Sequence, residues 1–378
     1  MKKILIVVLL LSQTLLFAQV KVTFKTGAVP ALKTNRTSIF LAGDFDNWDP
    51  SDARWQMQPG NSAGQYQLAV SMLPGKYSFK VTKGSWESVE SGAGGADVSN
   101  RDISIAHDTT IIVNIVGWKD NYPATPKKHT ASANVHIITE KFDMPQLGRQ
   151  RRIWIYLPAD YTTSRRKYPV IYMHDGQNLF DELTSGYGEW GVDELLDKMP
   201  VKDQCIIVGV DHGGEYRITE YDPYDSKYGK GRGNDYVDFL AKTLKPYIDK
   251  NYRTQKDARH TTVAGSSMGG LISAHAIFKY PDVFGNAGVF SPSFWIAPDI
   301  FNYAQQSKLT NSNRLYFVCG DSEDDAMPAD MQKMAADLQA KGISKNNSPT
   351  TIIKGAKHNE KQWNGDFPAF YSWLIKGY

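Results

Sequence analysis

The run Gly265-Ser266-Ser267-Met268-Gly269 carries the pattern Gly-x-Ser-x-Gly, whose chemistry is nucleophilic attack by a serine hydroxyl. Glycines are needed on both sides because a serine on so sharp a strand-to-helix turn leaves no room for neighbouring Cβ atoms. Such a turn exposes the Ser267 hydroxyl above a sheet and aims the Met268 N–H, with the helix N-terminus, at an oxyanion beside it. A hydroxyl needs a base to take its proton, and the base needs an acid to hold it; the chain order expected here is serine, acid, histidine. Of the eight histidines only His358 lies well downstream of Ser267, just after the strand-like run 350–353, so it is the expected base. His275 falls on the helix after the serine, His174 in an earlier loop and His129 in a linker.

The acid is expected in the loop Asp321-Ser322-Glu323-Asp324-Asp325, where four carboxylates in five positions leave Glu323, Asp324 and Asp321 as candidates. A second oxyanion donor is expected from the run Met173–Phe180, with Gly176 allowing close approach of the backbone and Gln177 offering its N–H. His174 and Asp175 have no third ligand at a metal-binding spacing, so neither metal nor cofactor is expected.

These groups need elements to hold them. The serine run is entered from an apolar strand, His260–Ala264, and left by a helix beginning at Leu271. Short continuous apolar runs recur at 153–157, 170–173, 205–210, 315–319 and 350–353, as expected of strands buried on both faces. Between them lie helical periods: Tyr236, Val237, Leu240, Leu244 and Ile248, with Asn234 expected as the cap, and Met331, Met334 and Leu338, closed by Gly342. Alternation of this kind predicts a mostly parallel, doubly wound α/β sheet over residues 134–378. Residues 20–118 show period-two patterns instead, at Val20, Val22, Phe24; at Tyr66, Leu68, Val70; and at Tyr77, Phe79, Val81, which predict a small all-β sandwich of antiparallel strands. A polar, proline-containing stretch at 119–133 reads as the linker.

Length and composition agree with two packed domains: 378 residues at about 150 per domain, with 41% hydrophobic side chains. A net charge of +3 supplies no basic stripe for a nucleic-acid backbone, which excludes that class of partner. Lys2 and Lys3 precede an apolar run and a small residue, Ala18, so residues 1–19 are expected to be a cleaved signal peptide, with no cysteine available for lipidation. The exported product is then periplasmic or secreted and free of the membrane. Cys205 and Cys319 sit in runs expected to be non-neighbouring buried strands, and are read as free thiols.

The blocks Tyr156-Leu157-Pro158, Met173–Phe180, Arg217–Tyr221, Gly265–Gly270, Ser291–Trp295 and His358–Trp363 resemble the esterase family of α/β-hydrolases that holds feruloyl and acetyl-xylan esterases, esterase D and enterochelin-type siderophore esterases. That resemblance implies the α/β-hydrolase fold, an acyl-enzyme mechanism and Glu323 as the acid, three residues past Gly320. It further implies a substrate pocket containing Arg217, Trp190 and Trp295, although core filling serves equally well for the two tryptophans. The blocks Leu41–Pro50, Pro74–Val81 and Gly84-Ser85-Trp86 are similar to the immunoglobulin-like glycogen-binding modules of carbohydrate-binding family 48. By that similarity Trp48 and Trp86 stack on sugar rings, assisted by Lys80 and Asn100; the same sandwich also serves as a non-binding neighbour of esterases. Together these readings predict an exported serine esterase acting on feruloyl or acetyl esters of plant polysaccharide. A siderophore trilactone is the alternative substrate, and an inactive hydrolase domain that binds glycan is the alternative of another class.

Overall fold

The computed structural model describes residues 19–30, 38–46, 48–60, 62, 64–123, 126–323 and 326–378. The expected signal peptide, apart from Gln19, lies outside the described residues, as do two linker positions, 124 and 125, and the candidate acid Asp324. Among the described residues no helix is long and apolar enough to cross a membrane. The chain divides into two compact units, Met1–Pro126 and Lys127–Tyr378.

Among the described residues the first unit has nine strands: β1 (Val20–Thr26), β2 (Ile39–Gly43), β3 (Gln56–Pro59), β4 (Tyr66–Met72), β5 (Gly75–Thr82), β6 (Glu90–Ser91), β7 (Arg101–Ile105), β8 (Thr109–Val113) and β9 (Gly117–Trp118). Seven of them hydrogen-bond in the order β7-β5-β2-β3-β4-β1-β8, while β6 pairs with β9. The short β3 makes this succession continuous, because Met57 pairs with Ile39 of β2 and Gln58 with Gln67 of β4. The period-two pattern buries Val22, Phe24, Leu41, Phe79, Val81 and Val113 in one core. One pairing departs from the antiparallel expectation: β8 runs parallel to β1. It arrives from β7 at the far end of the order, so it crosses over instead of returning through a tight hairpin.

The second unit carries a sheet of β10 (Val135–Met144), β11 (Arg149–Tyr156), β12 (Val170–His174), β13 (Ile206–Val210), β14 (Thr261–Ser266), β15 (Asn286–Phe290), β16 (Arg314–Gly320) and β17 (Thr350–Ile353). Their order is β10-β11-β13-β12-β14-β15-β16-β17. β10, β11 and β13 pair antiparallel, and every pairing from β13 to β17 is parallel. The parallel strands are joined by helices α1 (Val192–Lys198), α2 (Arg217–Tyr221), α3 (Gly233–Phe239), α4 (Lys245–Asn251), α5 (Met268–Lys279), α6 (Ile300–Gln306) and α7 (Met327–Ala340), and α8 (Glu360–Ile375) follows β17.

The continuous apolar runs have a clear physical reason. Along β12, Val170 and Tyr172 enter one core while Ile171 and Met173 enter the other, so both faces of the sheet are covered. Cys205 and Cys319 are free and buried, and β13 and β16 are not neighbours in the sheet. One helix boundary differs from expectation: α3 begins at Gly233, and Asn234 lies inside it instead of capping it. Its amide donates to the Pro223 carbonyl and its oxygen faces His275 Nε2 at 3.1 Å, so tertiary partners claim the side chain.

The functional consequence lies in the order of winding. The chain adds β13 on one side of β12 and β14 on the other, then continues outward through β17. Loops leaving the carboxyl ends of β12 and β14 diverge at this switch, which is where open α/β sheets form their crevice.

Candidate active site

Ser267 leaves the end of β14 with φ 60° and ψ −122°, between an extended Ser266 and the first residue of α5. A non-glycine residue in this region costs of order 1–3 kcal/mol and persists only where its surroundings impose it. Here the constraint is close packing. A Cβ on Gly265 would lie 2.8 Å from His174 Cδ2, and one on Gly270 would lie 2.7 Å from the Phe290 carbonyl oxygen. The serine itself is pinned by its N–H donating to Phe290 O at 3.0 Å. Among the described residues of the second unit, the non-glycine residues with positive φ are Asp175, Ser267 and Ser291, each immediately following the carboxyl end of β12, β14 or β15. Strain in this unit is thus gathered at the crevice.

His358 and Glu323 meet across the loops after β17 and β16. His358 Nδ1 lies 2.8 Å from Glu323 Oε2; the carboxylate side chain is 0% exposed and the imidazole 33%. The other carboxylate oxygen, Oε1, accepts from Ser291 Oγ at 2.8 Å and from the Gly320 N–H at 2.5 Å. Ser291 Oγ in turn accepts from Trp363 Nε1 at 2.8 Å, and the Trp363 ring meets the imidazole edge-on at 5.0 Å. The relay Trp363–Ser291–Glu323–His358 therefore fixes the acid by two donors and leaves its second oxygen for the imidazole. Asp321 is committed elsewhere, its Oδ1 accepting from the Gly355 N–H at 2.6 Å.

The hydrogen-bond partner of Ser267 Oγ is Ser293 Oγ at 3.2 Å, and no bond joins it to His358. Catalytic hydrogen bonds of this kind often tighten only with substrate bound. As the first residue of α5, Met268 has an N–H without an intrahelical acceptor.

Gly176 and Gln177 form a 3-10 turn after β12. Gly176 is small for a reason other than the expected approach to a ligand: a Cβ there would lie 2.9 Å from Gly209 C, Val210 N and Trp154 Cδ1. The turn is packed against β13 and β11. The Gln177 side chain accepts from the His212 N–H at 3.2 Å, while the described backbone contacts assign its own N–H no acceptor.

Arg217 was expected in the substrate pocket. Its guanidinium grips Asp175 through both oxygens, Nε to Oδ1 at 2.7 Å and an Nη to Oδ2 at 2.8 Å, and so holds the left-handed Asp175 that starts the Gly176–Gln177 turn. Burial raises the Asp175 carboxyl, but the Arg217 charge and hydrogen bonds outweigh it and bring the group below its ordinary range. Trp190 lies in the core, 3% exposed, against Phe290, Trp363 and Phe367, because its apolar ring fills the space behind the relay. Trp295, by contrast, is 42% exposed on the loop after β15. His174 and His275 are buried, and burial lowers them to about 4 and about 3.

Ser291, Ser293 and Trp363 carry roles that spacing alone did not reveal. Glu360 joins them: it is buried at the start of α8, with Oε1 3.4 Å from Asn178 Nδ2. Burial raises its carboxyl, and the nearby Asp175 charge adds to that effect.

In the first unit Trp48 and Trp86 stand together, with centroids 6.3 Å apart and planes at 33°. The Trp48 indole N–H donates to Asp44 at 3.1 Å. Lys80 Nζ donates to the Val98 carbonyl, which commits it to the fold, and burial lowers its pKa. Asn100 is exposed two residues further on.

A serine on a strand–turn–helix elbow, with a histidine–carboxylate pair after the last two strands of a mixed sheet, defines the serine hydrolases of the α/β-hydrolase class. The chain matches the family model described as "Putative esterase" over residues 145–374 and belongs to that family. It is a carboxylic ester hydrolase. It is 27% identical over 243 residues to the uncharacterized protein YbbA of Bacillus subtilis, covering 59% of this chain and 92% of that protein. It is 25% identical to an endo-1,4-beta-xylanase/feruloyl esterase of Xylanibacter ruminicola, covering 63% of this chain and 31% of the relative. The enterobactin esterase of Shigella flexneri, crystallised with 2,3-dihydroxy-N-benzoyl-serine, shares the fold at a TM-score of 0.52 and 15% identity, over 90% of this chain and 88% of that one.

Proposed function

We propose that the chain cleaves esters through an acyl-enzyme on Ser267. Ser267 Oγ attacks the ester carbonyl as His358 Nε2 takes its proton; the tetrahedral oxyanion is held by the N–H groups of Met268 and Gln177. The intermediate collapses, the C–O bond to the alcohol breaks, and His358 returns the proton to the leaving oxygen. Water, deprotonated by the same imidazole, then releases the acid and restores the serine. Glu323 fixes the Nδ1–H tautomer and stabilises the imidazolium. The observation that carries this reading is the 2.8 Å contact between His358 Nδ1 and the buried Glu323, whose other oxygen is already saturated by two donors.

The substrates in this reading are acetyl or feruloyl esters of plant polysaccharide. The name of one relative, an endo-1,4-beta-xylanase/feruloyl esterase, supports the acyl group, and the paired Trp48 and Trp86 support a sugar platform on an immunoglobulin-like, glycogen-binding-like first unit. Export through residues 1–19 would bring the enzyme to such a substrate; N-terminal sequencing of mature protein should begin after Ala18 or Gln19. The deciding experiment compares ferulate and acetate release from xylan with cleavage of a catecholate siderophore. Preference for the siderophore refutes the polysaccharide reading. Affinity electrophoresis in amylose or xylan tests the platform: wild type should be retarded, and Trp48→Ala and Trp86→Ala should run freely. An unretarded wild type removes glycan binding.

A further inference from the structure

Away from the serine, three carboxylates gather where α1 begins. Glu189, Asp193 and Glu194 each present an oxygen, and these atoms all lie within 4.8 Å of one another. Two oxygens bound to one calcium at about 2.4 Å stand at most about 4.8 Å apart, so the cluster has the span of a shared ion.

The atoms left over point the same way. Glu189 Oε1, Asp193 Oδ1 and Glu194 Oε2 are buried and take no hydrogen bond from a donor outside the cluster. Asp193 as a residue is 0% exposed, and its remaining oxygen is already taken by the Ser132 N–H at 2.7 Å. Glu189 Oε2 likewise accepts from Thr130 Oγ1 at 2.7 Å. Among the described residues no lysine, arginine or histidine forms an ion pair with any of the three. A buried, unpaired carboxylate oxygen costs several kcal/mol, and three facing one another add mutual repulsion.

We propose that Glu189, Asp193 and Glu194 bind a calcium ion that fastens the Thr130–Ser132 segment to the start of α1. Every available ligand is a carboxylate oxygen, with no imidazole or thiolate, which selects a hard cation. Calcium accepts flexible, multidentate carboxylate coordination, whereas magnesium demands near-ideal octahedral geometry and retains waters. The ion's place is structural: Trp190, next in sequence to Glu189, packs on Trp363 at 5.9 Å behind the relay.

The test uses the full chain, stripped with chelator and then titrated with calcium or terbium. Calcium at about 100 times its Kd should raise the thermal midpoint by about 5–10 °C. Terbium should give luminescence sensitised by tryptophan, which calcium displaces. Asp193→Asn should abolish both signals, and Glu194→Gln, a milder change at a partly buried position, should weaken both if Asp193→Asn fails to fold. A wild-type protein that shows neither signal, or variants that respond as the wild type does, overturns the proposal.

Discussion

Replacing Glu323 with glutamine changes almost no volume and tests the role proposed for it as the acid of the triad. In the native arrangement Oε1 accepts from Ser291 Oγ and the Gly320 N–H, while Oε2 faces His358 Nδ1 at 2.8 Å. Both contacts at Oε1 come from donors, so a carboxamide must place its oxygen there. Its NH2 then points at Nδ1, which can no longer donate; the imidazole proton moves to Nε2, the nitrogen that must receive the serine proton. Imposing that tautomer costs about 10⁴-fold in kcat, or about 5.4 kcal/mol. Glu323→Asp should also fail: shortening the side chain by about 1.5 Å stretches the 2.8 Å contact beyond hydrogen-bond range. Steady-state hydrolysis of p-nitrophenyl acetate measures both variants, with the thermal midpoint as a control for folding. A loss of less than about 10-fold in a folded Glu323→Gln protein, or a larger loss in Asp321→Asn, would refute this account of the acid.

Three further changes probe the supports. Trp363→Phe keeps an aromatic side chain but removes the indole N–H that donates to Ser291; it should lower kcat by about 2- to 10-fold, and an unchanged kcat would remove Trp363 from the relay. Gly176→Ala forces a Cβ to within 2.9 Å of β13 backbone atoms and of Trp154; overpacking of about 1–3 kcal/mol should lower the thermal midpoint by about 2–12 °C, whereas a midpoint within error of wild type would mean the turn has room. His275 is held down to about 3, so the unfolded chain binds more protons than the folded one between about 6.5 and about 3, and stability falls as pH drops through that window. His275→Gln should flatten that limb of the midpoint–pH curve, and an unaltered slope would contradict the assignment.

The serine elbow was legible because its strand and helix are local and Gly265 has a steric cause, whereas a Cβ on Gly269 would lie 3.4 Å from His174 Cβ, an ordinary contact. Chain order pointed to His358, which the structure pairs with Glu323 across the loops after β17 and β16. The acid was not separable from its neighbours by residue type; resemblance to the family singled out Glu323, and the two donors on Oε1 supply the physical reason. Ser291 and Trp363 stayed hidden because their partners are 32 and 72 residues from Ser291 in sequence, a distance no local spacing encodes. Aromatic type likewise did not distinguish Trp190, behind the relay, from Trp295 on the surface. Arg217 was visible as a charge in a family block, but its use, clamping a left-handed Asp175, depends on α2 packing beside the β12 loop. Period-two alternation located the strands of the first unit, whereas the parallel β1–β8 pairing followed from a crossover that alternation does not record.

The central claim is that Ser267, and not its hydroxyl neighbour Ser293 at 3.2 Å, carries the acyl group. Labelling with a fluorophosphonate followed by peptide mass spectrometry tests it directly. A single stoichiometric adduct on Ser267, with hydrolysis lost in parallel, is the predicted result; an adduct on Ser293, or full ester hydrolysis by Ser267→Ala, would contradict it.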